Sequence, residues 1–97
     1  MDERAEFIDR IRSERNKCSE EVRRLQERAI AMSAKARLSY EEQLADLQRG
    51  CSAVDRELND LERDRSNWEG AKERVQAMMK ELKTGIEKLR SRSGESG

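Results

Sequence analysis

Cys18 and Cys51 are the only thiols in the chain, and there is no histidine. A thiol or hydroxyl nucleophile needs a neighbouring base to take its proton, so the Ser-His-Asp and Cys-His arrangements are absent. Two cysteines far apart in sequence and without imidazole partners make no zinc site. The glycines at 50, 70, 85, 94 and 97 are scattered, which leaves no glycine-rich phosphate loop. The acidic doublets Glu20-Glu21 and Glu41-Glu42 diverge on a helix surface and gather around no pocket. Arg10, Arg12, Arg23, Arg24 and Arg28 are the residue type that grips phosphate. They are interleaved with Asp9, Glu14, Glu20, Glu21 and Glu27, so pairing along one helix is the expected use. These residues point to no catalytic, cofactor or metal site. The chain is read as a non-enzyme with no small-molecule substrate.

What such residues decorate follows from composition. Of 97 residues, 43% are charged, 34% are hydrophobic and 3% are aromatic, with no proline. That mixture is too poor in aromatic bulk for an ordinary globular core and typical of long amphipathic helices. Disorder is disfavoured because the apolar residues are regularly spaced. Ile8, Ile11, Cys18, Val22, Leu25, Ala29, Met32 and Ala36 follow three-four spacing, with Arg15 in one slot. The phase slips before Leu44 and resumes through Leu47, Val54, Leu61, Trp68, Val75, Leu82 and Leu89, a run of apolar residues seven apart. Helix is expected from residue 3 to 92, and 93–97 reads as a disordered tail.

The expected fold is all-α, an antiparallel two-helix coiled-coil hairpin. It has helices over 3–49 and 53–92 and a turn at 50–52, where Gly50 suits a helix stop and Ser52 a new cap. An uninterrupted long helix in a coiled-coil dimer is the alternative. Charge favours the antiparallel arrangement. Residues 22–38 hold five bases and one acid, and 50–69 hold six acids and three bases. A fold-back apposes these blocks, whereas a parallel dimer sets like against like. The seam is expected to include Val22, Leu25, Leu58, Leu61, Trp68 and Val75. In this register Cys18 and Cys51 read as small buried hydrophobes on different layers, unable to bridge.

A hairpin buries one stripe per arm, little against the ordering entropy of its residues. It is therefore expected to self-associate or to dock on another helical protein. The predicted docking face is Phe7, Ile8, Ile11, Met78, Met79, Leu82, Ile86 and Leu89 at the open end of the hairpin. The functional expectation is a non-enzymatic structural or protein-interaction module acting by helix–helix packing. Equal numbers of acids and bases, 21 of each, leave no net attraction for nucleic acid or membrane. A weak nucleic-acid binder is a distant alternative. With no secretory leader or membrane span evident and two unpaired thiols, the cytoplasm is the expected compartment.

Trp68-Glu69-Gly70 resembles the tripeptide of the small secreted helical-hairpin family named for its Trp-x-Gly motif. In that family the motif lies in the turn near mid-chain, whereas here it falls past the middle, within the heptad run. The resemblance implies a secretion-linked hairpin. Export chaperones and stalks, charge-rich helical hairpins of similar general character, belong to the same alternative.

Overall fold

The computed structural model describes residues 2–64 and 66–95, with side chains described as far as Arg92. Three helices follow one another: α1 (Glu3–Ala29), α2 (Ala34–Arg63) and α3 (Trp68–Glu95). The all-α expectation holds, but the chain turns twice, at residues 30–33 and 64–67, and not at 50–52. The bundle is 49 Å long. That suits arms of under thirty residues at about 1.5 Å per residue. α3 carries helical backbone through Glu95, beyond the expected start of a tail at 93, while residues 96 and 97 lie outside the described residues.

Local chemistry accounts for the boundaries. Asp2 caps α1 by accepting the Arg4 N–H at 3.0 Å, and Glu3 and Glu6 place negative charge in the first turn. Ser33, in an extended conformation, caps α2 through its hydroxyl, which accepts the Ala36 N–H at 3.3 Å. At the far end of α2, Asp64 leaves helical geometry, and its carboxylate accepts both the N–H and the hydroxyl of Ser66, at 3.0 and 2.7 Å. The Asn67 carbonyl then accepts the Ala71 N–H to open α3. A Cβ on Gly70 would lie 2.8 Å from Asn67 Oδ1, so glycine here makes room for the Asn67 side chain over the first turn.

Gly50, the expected turn, lies within α2, and no described residue has a positive φ. Its role is spacing. A Cβ at Gly50 would sit 3.3 Å from Leu82 Cδ1, and one at Gly85 would sit 2.7 Å from Leu47 Cδ2. The two glycines let α2 and α3 approach closely, each receiving a leucine from the other helix. Helical glycine costs about 1 kcal/mol relative to alanine, a loss that close packing offsets.

Side-chain contacts fix the register. Between the antiparallel α1 and α2, Arg15 pairs with Asp55 at 2.7 Å, and Arg12 reaches Asn59 at 3.2 Å and Glu62. Between α2 and α3, Arg74 pairs with Glu57 at 3.3 Å and Arg92 donates to the Ser39 hydroxyl at 3.2 Å. The parallel helices α1 and α3 are joined by Lys83–Glu14 and Arg90–Glu21, both 3.5 Å. This register sets Ile11, Leu58 and Val75 at one level, Val22, Leu47 and Ile86 at another, and Leu25, Leu44 and Leu89 at a third. All nine are buried. It also sets Cys18 level with Cys51, correcting the expectation that they occupy different layers.

The third helix changes the energetics of the fold. Each arm packs on two neighbours, so the apolar stripe of α1 is covered within the chain from Phe7 to Ala29. Helices draw most of their stability from such packing. Burying a Leu, Ile or Val contributes about 1.5–3 kcal/mol each.

Candidate functional site

The residues expected to form a docking face sit in the core. Phe7, Ile8, Ile11, Met79, Leu82, Ile86 and Leu89 are buried, and Met78 is partly buried against them. The reason is topological: with turns at 30–33 and 64–67, α2 lies across the stripe that a two-helix arrangement leaves open. Of the expected seam, Val22, Leu25, Leu58, Leu61 and Val75 are buried, while Trp68 packs on the core from the start of α3. Its ring meets Phe7 edge-on, with centroids 5.2 Å apart and planes at 76°. The Lys72 ammonium lies 5.6 Å from the Trp68 ring and the Arg10 guanidinium 5.5 Å from the Phe7 ring. Both distances suit cation–π attraction. Arg4 donates to the Leu61 carbonyl at 2.5 Å and ties the start of α1 to the end of α2.

The opposite end is finished differently. Ile30 is 76% exposed and Leu38 66% exposed, the two large hydrophobic residues left outside the core among the described residues. Ile30 ends α1, and Leu38 sits just over one turn into α2 on its outer face. Met32, between them in sequence, is half-buried. This end comes from the segment 22–38, with five bases and one acid. Arg23 pairs with Glu20 at 3.5 Å and Glu27 at 3.2 Å, and Arg24 with Glu21 at 3.7 Å. Exposed pairs of this kind contribute little stability and leave the local excess of positive charge in place. Sequence reading missed this surface because Ile30 and Leu38 fall outside the heptad phase and look like noise against it.

The cysteines occupy the middle of the bundle. Both are buried, and burial pushes both thiols above their ordinary range. Lys83 partly opposes this at Cys18, and Arg15 does so at Cys51. The proximity of Cys18 is itself one of the influences that raise Cys51. Cys18 forms part of the floor of a shallow groove between α1 and α3, rimmed by Glu14, Lys17, Lys83 and Arg90. Cys51 lines a second groove between α1 and α2, beside Ser19 and Ser52. Arg15 spans the edge of this region. Its head reaches Asp55 while its buried Nε has no hydrogen-bond partner.

Among the described residues no three His, Cys, Asp or Glu side chains are grouped to hold a metal ion, and no helix is long and apolar enough to cross a membrane. No family model, curated protein or solved structure matches the chain, so its functional reading rests on this geometry.

Proposed function

We propose that the chain is a non-enzymatic helical module whose work is protein–protein contact, made through the α1–α2 end of the bundle. The observation that carries this reading is the exposure of Ile30 and Leu38, while the other large apolar side chains among the described residues are covered wholly or in part. Contiguous apolar patches rimmed by polar residues mark contact surfaces, and Ile30 ends α1 while Leu38 stands on α2, the two helices joined at this end. The flanking segment, rich in Arg and Lys, fits an acidic partner helix. A two-fold dimer through this end would set two basic segments against each other, so a second copy is the less suitable occupant.

A photo-crosslinking amino acid at position 38, introduced into the full chain in cells of its source, tests the proposal. The expected result is a discrete adduct whose linked segment is acidic and helical. That adduct should be lost in Ile30→Lys and absent when the probe is moved to Arg56. Equal labelling from both positions, adducts only with the chain itself, or none at all would overturn it.

The secretion-linked reading has one observation in its favour. Trp68-Glu69-Gly70 opens α3 directly after a helix connection, and a position beside a turn is what the Trp-x-Gly resemblance implies. Recovery of the intact chain from culture medium would support it, and strict retention in washed cells would dismiss it.

A further inference from the structure

We propose that Cys18 and Cys51 are a disulfide-forming pair that staples α1 to α2 at the middle of the bundle. The inference is independent of the contact surface above and rests on register. Arg15–Asp55 and Arg12–Asn59 hold the two antiparallel helices in a register that brings the chain's only two thiols level, both at buried positions. Packed helix axes lie about 8–10 Å apart. Each Cα stands about 2.3 Å off its axis. Inward-facing Cα atoms at one level therefore fall near the roughly 4.4–6.8 Å that a disulfide spans. A cross-link here closes a loop that contains the whole α1–α2 connection, a segment that otherwise gains its freedom on unfolding.

The chemistry balances with a small-molecule disulfide such as oxidised glutathione as oxidant. One cysteine thiolate attacks the glutathione disulfide, forming a mixed disulfide and releasing one glutathione thiolate. The second cysteine then attacks the protein sulfur of that mixed disulfide and releases the second. The protein loses two protons and two electrons, and two molecules of reduced glutathione carry them away. Because each thiol is nearly inaccessible from outside, exchange requires the helices to part. Reducing surroundings keep the pair as thiols, and oxidising ones trap it closed.

The test is equilibration of the full chain in defined mixtures of reduced and oxidised glutathione, in native buffer and again in strong denaturant. Products are resolved by intact mass and by peptide mapping. The expected product is a monomer lighter by two hydrogens, with peptides of Cys18 and Cys51 joined. Its effective thiol concentration should be on the order of several hundredfold higher in native buffer than in denaturant, as loop closure of this length implies. Cys18→Ser and Cys51→Ser should each fold and form only the glutathione adduct. Glutathione adducts or covalent dimers as the main product of the unsubstituted chain would overturn the proposal. So would a native effective concentration no higher than the denatured one.

Discussion

The two helix connections are of similar length and do opposite things. Residues 64–67 close the bundle. Asp64 and Ser66 satisfy each other, Asn67 opens the next helix, and Trp68 and Phe7 pack edge-on beneath them. Residues 30–33 turn the chain with a single side-chain cap from Ser33 and leave Ile30 and Leu38 outside. Both connections reverse a helix, so reversal alone does not require exposed aliphatic residues. One end is built for closure, and the other keeps apolar surface available.

The contrast is open to direct attack. The largest effect is expected at the closed end. Phe7→Ala removes a buried ring and its edge-on contact with Trp68, and should lower unfolding free energy by about 3–5 kcal/mol in urea titrations. The Trp68 emission should shift to the red as water reaches the indole. A loss below about 1 kcal/mol would mean that the closed end is not packed as described.

Glycine spacing along α2 and α3 gives a graded second test. Gly85→Ala forces a methyl group to within 2.7 Å of Leu47 and should cost about 1–3 kcal/mol, reduced by the helix propensity gained. Gly50→Ala meets Leu82 at only 3.3 Å and should be close to neutral. Equal effects at the two positions in thermal unfolding would contradict the asymmetric approach of the helices.

At the open end the cap and the apolar residues separate structure from function. Ser33→Ala should cost about 1 kcal/mol, the usual value of an N-cap, measured by denaturant midpoint. Ile30→Lys and Leu38→Lys should change stability by less than about 0.5 kcal/mol. If either lysine variant unfolds the bundle, the exposed pair is structural and the proposed contact surface is lost.

The smallest effect concerns pH. Hydrogen bonds from the Ser66 N–H and hydroxyl hold the Asp64 carboxyl below its ordinary value of 3.8. A lowered folded-state value contributes stability that is present above 3.8 and lost as pH falls through the depressed value. Asp64→Asn should remove that acid-side component from the stability–pH curve. An unchanged curve below pH 4 would show that the carboxylate does not brace the connection.

Much of the core could be read from residue spacing. Leu25, Leu58, Val75 and Leu89 fall on the apolar period and are buried, because a helix packs whatever its stripe presents. The connections were harder to see. Leu61, Trp68 and Val75 keep their spacing of seven across residues 64–67, so the period runs through a break without registering it. The better signal was the cluster Asp64, Ser66 and Asn67, which are turn-forming side chains. At the other connection the spacing also runs through the break, since Ala29, Met32 and Ala36 stay in phase across residues 30–33 while the slip before Leu44 falls inside α2.

Sequence by itself determined the helical class, the apolar stripe and the absence of histidine-based chemistry, since these depend on residue type and short-range spacing. Only the tertiary structure decided how many arms there are, which residues the stripe meets and what remains outside. Gly50 shows why: a glycine in a helical run can end the helix or admit a neighbour, and nothing local distinguishes the two. Cys18 and Cys51 show the consequence. Their separation along the chain is fixed, but whether they face each other depends on where the chain turns, and that choice is made by burial summed over the whole bundle.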